Sequence, residues 1–289
     1  QYKPNTVNRR VARRMAAHQL DDAEDYATFL ERTPDEAGAL FQDLLIGVTS
    51  FFRDPAAFEA LARVGLPKVF EHVAPGAAAR VWCVGCCTGE EAYSVAMVLQ
   101  EHLDATGSTS TVQVFATDID ARAIALARQG LFPASIAAEL SPTRLARFFT
   151  AEPGGGYRVT KHLRELVMFS EHDVIIDPPF SRVDLITCRN LLIYFSSELQ
   201  RRLLPLFHYA LNPGGVLFLG ASESVGEHAE LFTPLDRAAK LFARAGSATR
   251  AVSRLGARGA LNAGQPLPLP ERRTASPSPL KVMTEQALL

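Results

Sequence analysis

Residues 80–91 read RVWCVGCCTGEE, and this stretch decides the fold. Val81, Trp82, Cys83 and Val84 form a short apolar run, the pattern of a strand buried in a parallel sheet. The run ends at Gly85, passes through small residues to Gly89, and enters a helical pattern opened by Glu90 and Glu91. Strand, glycine turn and helix in that order build the ligand crevice of a doubly wound α/β sheet.

Outward from this unit the chain alternates strand and helix, as a parallel sheet requires. Strands are expected at 81–84, 112–117, 183–188 and 216–219, with the last strands drawn from 232–242. Helices are expected at 92–103, 124–129 and 197–211. Between them, Phe148-Phe149, the glycines 154–156, residues 157–159 and residues 166–169 read as short antiparallel strands, an inserted β subdomain over about 147–170. Upstream, the first seventy or so residues are helical. Arg9, Arg10, Arg13 and Arg14 give the first helix a basic face opposite Val7, Val11 and Met15. A second helix is expected over 21–31, and a third opens at Pro34 and carries Leu40, Phe41, Leu44 and Leu45 at core spacing. Residues 47–55 break the pattern before a linking helix. The expected organisation is a helical domain over 1–70, an α/β domain over 71–245, and a Pro/Arg-rich linker or disordered tail over 246–289.

Bulk properties exclude several classes. A net charge of −1 argues against whole-chain electrostatic binding of nucleic acid. No apolar run approaches the roughly 20 residues that cross a bilayer, and no signal peptide opens the chain, so a cytoplasmic protein without membrane insertion is expected. Three of the four cysteines (Cys83, Cys86, Cys87) crowd into five residues, poor spacing for a disulfide framework. Cys188 could come near them, but no nearby histidine completes a ligand set, so no metal is expected.

The crevice has its own chemistry. Its turn holds two carboxylates and no lysine, which would repel phosphates and suit a ligand with positive charge and free hydroxyls; S-adenosylmethionine has both. Gly85 lets such a ligand approach backbone. Asp118 ends the second strand, where a carboxylate accepts both hydroxyls of a ribose. Asp120 competes for that role from two residues into the turn. Asp173 is placed to accept the adenine amino group while the Val174 N–H serves the ring. An acidic residue after a strand also commonly caps a helix.

With these residues in order, the chain resembles the chemotaxis receptor methyltransferases, the CheR family, over roughly residues 2–244. The matching stretches are VTSFFRD at 48–54, TGEEAYS at 88–94, ATDID at 116–120 and CRNLLIYF at 188–195. The resemblance implies a Rossmann-like class I S-adenosylmethionine methyltransferase sheet with a small helical N-terminal domain and a small inserted antiparallel β subdomain. It also implies methyl transfer to glutamate side chains of chemoreceptors. By the same resemblance Thr49 and Arg53 reach the cofactor, Arg53 near its carboxylate, and Glu90, Asp118, Asn190 and Leu191 join them. The family often has Asn where this chain has Gly47.

A glutamate acceptor, with a reference pKa of about 4.3, is already ionised at neutral pH and needs no general base. Catalysis reduces to in-line positioning and desolvation around a good leaving group. Arg53, Tyr194 and Arg189 are the candidate catalytic residues, the last two to orient the incoming carboxylate. The basic face of Arg9, Arg10, Arg13 and Arg14 is the candidate dock for an acidic helical region of a receptor's cytoplasmic part.

Two other readings compete. Residues 177–180, DPPF, match the tetrapeptide of amino-methyltransferases acting on nucleic acid, although they precede a strand where that chemistry needs them after one. A non-catalytic module that binds S-adenosylmethionine for signalling is the second. Residues 45–53 and 207–211 further resemble the methyltransferase segment of hybrid signalling proteins, with a receptor methylesterase before it and sensory domains after it. The missing initiator Met agrees with a longer protein. In members that tether a receptor's C-terminal tail, the inserted strands hold it; the short loop at 152–157 argues against tethering here.

Overall fold

The computed structural model of the chain describes residues 4–45 and 47–246. Nearly all of the tail expected over 246–289 lies outside the described residues. Three helices come first: α1 (Pro4–Ala17), α2 (Ala23–Arg32) and α3 (Pro34–Leu44). They gather around a carboxylate. Glu36 of α3, only 4% exposed, accepts from Arg14 Nε and the Tyr26 hydroxyl, both at 2.8 Å, and meets His18 Nε2 at 2.7 Å. The Arg14 bond holds the Glu36 carboxyl down to about 2, against the desolvation that opposes it. Phe41, expected in a core, is exposed.

This packing corrects the expectation of one docking face. At about 100° per residue, positions 9, 10, 13 and 14 spread over an arc of about 140°, and one edge of that arc meets α3. Arg9 and Arg13 are exposed, Arg10 is half-buried with its Nε shielded, and Arg14 is committed to Glu36 and Asp43.

A strap over 47–54 leads into α4 (Pro55–Ala60), a π-helical turn (Leu61–Gly65) and α5 (Leu66–Phe70). Phe58, Leu61, Leu66 and Val69 from this stretch join the core of the sheet. The alternating part follows as β1 (Ala78–Val84), α6 (Glu90–Thr106), β2 (Thr111–Asp118), α7 (Ala121–Gln129) and β3 (Leu131–Phe132). After α8 (Pro142–Phe148) come β4 (Phe149–Ala151), β5 (Tyr157–Val159), α9 (Lys161–Glu165) and β6 (Val167–Glu171). The chain closes with β7 (Val183–Cys188), α10 (Ser197–Ala210), β8 (Leu211–Leu219), β9 (Phe232–Asp236) and β10 (Leu241–Arg244).

Among the described residues, seven strands make one sheet in the order β6-β2-β1-β7-β8-β10-β9, parallel through β8 and antiparallel at β10 and β9. The chain runs outward from β1 to β2 and β6, then returns to place β7 on the other side of β1. The carboxyl ends of β1 and β7 therefore diverge at a topological switch point, where such sheets leave a crevice.

The core explains the sequence pattern. Every residue of β7 is buried, and its one charged member, Asp184, accepts from the Arg80 N–H at 2.9 Å and from Asn212 Nδ2 at 2.6 Å. Trp82 is fully buried and satisfies its indole N–H on Thr117 Oγ1 at 3.0 Å. Phe207 and Phe218, also fully buried, contribute about 1.5–3 kcal/mol each through apolar burial.

The inserted subdomain differs from expectation. Its three strands run in the order β3-β5-β4, so its third strand comes from upstream, at Leu131–Phe132. Residues 166–169 do not belong to it. They enter β6, which pairs parallel with β2 through Val114 opposite Val167 and Asp118 opposite Glu171. A short apolar run does not reveal which sheet it joins, and two residues are too few to read as a strand.

Candidate active site

The glycine loop is folded by backbone bonds to its neighbour strand. The Gly85 and Cys86 N–H groups both donate to the Thr117 carbonyl, at 2.8 and 3.0 Å. Gly85 has φ +69°, and a side chain there would also press on Leu191. Cys87 is left-handed as well, which turns its N–H onto Asp118 Oδ2 at 2.8 Å. The other Asp118 oxygen accepts from the Asp120 N–H at 2.9 Å. Burial pushes the Asp118 carboxyl up while these N–H bonds pull it down. Asp120 itself caps α7, accepting from Arg122 and Ala123. Asp120 also lines the cavity, but its Oδ1 is committed to the cap.

The strap is pinned from both sides. The Phe51 N–H donates to Glu139 Oε2 at 2.7 Å and the Phe52 N–H to Ser94 Oγ at 3.0 Å. The Phe51 ring stands edge-on to Phe132 and Phe149, and the Phe52 ring to Phe58. Arg53 folds back to the Val48 carbonyl at 2.9 Å.

These segments enclose a cavity of about 240 Å³ at the switch point. Thr49, Arg53, Gly85, Asp118, Asp173, Val174, Asn190, Leu191, Arg189 and Tyr194 all line it. Sequence reasoning thus brings together segments from the strap, three strand ends and the loop after β6. Glu90 is the exception. Its carboxylate takes the Thr88 hydroxyl at 2.7 Å and does not line the cavity, whereas Glu91 does. Glu91 accepts from Thr187 Oγ1 at 2.8 Å and lies 3.5 Å from Arg189 Nη1. Burial pushes its carboxyl up; the Arg189 charge opposes that.

Arg189, expected to orient an incoming carboxylate, makes its hydrogen bonds to the strap. Its side chain is 1% exposed and lies between the Phe58 and Phe218 rings. Its Nη2 donates to the Arg53 carbonyl at 2.8 Å and to Asp54 at 2.9 Å. The Nε and Nη1 groups have no hydrogen-bond partner among the described residues, so the guanidinium braces the strap through Nη2 alone while lining the cavity. Tyr194 is different: it is half-buried, and its hydroxyl has no hydrogen-bond partner among the described residues.

Residues 177–180 lie elsewhere. Phe180 packs on Phe115, Trp82 and His172, and the Asp177 carboxylate accepts from the Asp173 N–H. None of the four lines the cavity, so they cannot present an amino substrate there.

Comparison with known proteins decides the family. The family model for the CheR methyltransferase SAM-binding domain matches residues 47–241, and that for the CheR all-alpha domain matches residues 1–45. The chain belongs to the CheR methyltransferase family. The chemotaxis protein methyltransferase of Salmonella typhimurium is 34% identical over 77% of this chain and 77% of its own length. Chemotaxis protein methyltransferase 2 of Vibrio cholerae is 32% identical over 78% of this chain and 80% of its own. An uncharacterized 104.1 kDa protein of Rhodobacter capsulatus is 44% identical over 81% of this chain, which spans only 24% of that relative.

The CheR cofactor fits the donor set. Glu91, Asp118, Asp120 and Asp173 outnumber Arg53 and Arg189 around the cavity, as a sulfonium and an ammonium require. Asn190, at φ +58°, has a buried Oδ1 with no hydrogen-bond partner among the described residues, an acceptor open to a ligand donor. Gly47 also lines the cavity; a side chain there would approach Cys87 Sγ to 3.2 Å, so the Asn common in CheR proteins would crowd this chain's Cys87. Glu223 escaped sequence reasoning although it follows an apolar strand at the same end of the sheet as Asp118.

Proposed function

We propose that this protein transfers the methyl group of S-adenosylmethionine to glutamate side chains of a chemoreceptor, forming methyl esters. The observation that carries this reading is the cavity at the switch point, which Asp118, Arg53, Asn190 and Tyr194 line together. The bound cofactor supplies an electrophilic methyl group on sulfur. Asp118 is held by two backbone N–H bonds with oxygen lone pairs left for a ribose diol. Arg53 supplies a cation for the cofactor's carboxylate, and Asp173 and Val174 meet the adenine. An acceptor carboxylate arrives ionised, so the protein's task is to align it and exclude water. The Tyr194 hydroxyl donates to that carboxylate.

In this reading the helical domain, over 1–70, presents exposed Arg9 and Arg13 to an acidic helical region of the receptor. The strap over 47–54 and the α/β domain carry the chemistry. The whole works as the methyltransferase part of a longer cytoplasmic signalling protein with fused methylesterase and sensory domains. The 104.1 kDa relative, of which this chain spans 24%, supports a larger assembly. No helix among the described residues is long and apolar enough to cross a membrane.

The test is incubation with methyl-labelled S-adenosylmethionine and receptor-containing membranes. Volatile, alkali-labile label on protein is expected. Alkali-stable label on nucleic acid, or cofactor binding without transfer, would overturn it.

A further inference from the structure

Glu223 is a buried carboxylate that meets no cation among the described residues. It is 4% exposed, and no ion pair involves it among the described residues. Its charge is met by backbone alone. Oε2 accepts from the Gly220 N–H at 2.7 Å and the Asn190 N–H at 3.0 Å, and Oε1 from the Ile193 N–H at 3.4 Å. Gly220 opens the connection after β8, whereas Asn190 and Ile193 lie in the loop after β7. One side chain therefore fastens the adjacent carboxyl ends of β7 and β8.

The fastened loop carries cavity residues. Asn190 holds a left-handed backbone, a conformation uncommon outside glycine that asparagine adopts more readily than most residues. Leu191 packs against the Gly85 position of the opposite wall, and Tyr194 completes the short turn Leu192–Tyr194 that follows. The fit has no slack. A Cβ on Gly220 would lie 2.8 Å from both the Asn190 nitrogen and Glu223 Oε2.

We infer that Glu223 is a positioning residue for methyl transfer: its carboxylate fixes the 190–194 loop so that Asn190 and Leu191 meet the cofactor and Tyr194 the acceptor. The inference rests on the proposed cofactor cavity and adds a residue that touches neither ligand.

Its test compares wild type with Glu223→Gln, which keeps the shape but turns an amide NH₂ toward N–H groups. Binding of S-adenosylhomocysteine is measured by calorimetry, and thermal melting is followed in parallel. Hydrogen bonds to a charged group of this kind correspond to about a tenfold or greater change in an equilibrium; affinity should fall by that factor, with kcat falling as well. Val216→Ala, buried in β8 away from the loop, serves as the stability control; it should lower the melting temperature and leave affinity unchanged. Should Glu223→Gln fail to fold, Gly220→Ala displaces the same contact and should weaken binding in the same direction. Unchanged affinity and kcat in whichever of these variants folds overturn the inference. Absence of binding by wild type would instead remove the cofactor reading beneath it.

Discussion

Arg189 Nη2 stands 2.9 Å from Asp54 Oδ2, joining the end of β7 to the strap that carries Thr49 and Arg53. The two partners are unequal: the Arg189 side chain is 1% exposed, that of Asp54 44%. Replacing Arg189 by Ala leaves Glu91 buried without its cation and should cost about 3–5 kcal/mol of stability. Asp54→Ala removes only a half-solvated partner and should cost less than about 1 kcal/mol. Chemical denaturation of both variants measures the difference; equal costs would show that the brace does not work through buried charge.

Asp118→Asn retains one acceptor oxygen where two are in use and aims an amide at an N–H group. S-adenosylhomocysteine should bind about tenfold or more weakly by calorimetry. Affinity equal to wild type would place the ribose elsewhere.

Tyr194→Phe removes a hydroxyl that has no partner among the described residues, so stability should hardly change. If that hydroxyl aligns the acceptor, kcat should fall on the order of tenfold or more while S-adenosylhomocysteine affinity stays within about twofold. Unchanged turnover assigns Tyr194 to packing.

Charge reversal at Arg9 and Arg13 should raise the KM for receptor without altering cofactor affinity, and the effect should shrink as salt screens it. Equal changes in both quantities would count against docking through α1. Arg14→Glu is a different experiment, since it sets two carboxylates against each other at Glu36 and should unfold the helical layer.

The helical layer should also be acid-sensitive. Glu36 is held at about 2 when folded, below its ordinary value of 4.5, so its bonds stabilise the fold above that ordinary value. The contribution should fade as pH falls from about 4.5 towards 2. In Glu36→Gln the acid-linked part should vanish, with about 2 kcal/mol already lost at neutral pH. Circular dichroism melts across this window read both effects.

Much of the site was legible because its determinants are local. The glycine turn and Asp118 at a strand end follow from strand, turn and helix rules. Asn190 and the CRNLLIYF stretch that contains Tyr194 were readable through resemblance to the CheR family. Glu223 was not, because Asn190 and Ile193 lie in the loop of another strand and all its bonds run to backbone, which leaves no residue-type pattern.

The sequence by itself determined the strand-loop-helix unit at 80–91, the α/β alternation around it and the strand ends that meet at one crevice. These follow from periodicity and turn chemistry. Only the tertiary structure decided which side chains face inward. Adjacent helix positions differ by about 100°, so the contact of α6 with the sheet sends Glu91 to the cavity and Glu90 to Thr88. The same rotation, set by packing on α3, splits the arginines of α1. Burial between Phe58 and Phe218 makes Arg189 a brace, and parallel pairing with β2 takes residues 167–171 out of the inserted sheet. Each of these depends on a neighbour far away in the chain, which a local pattern does not encode.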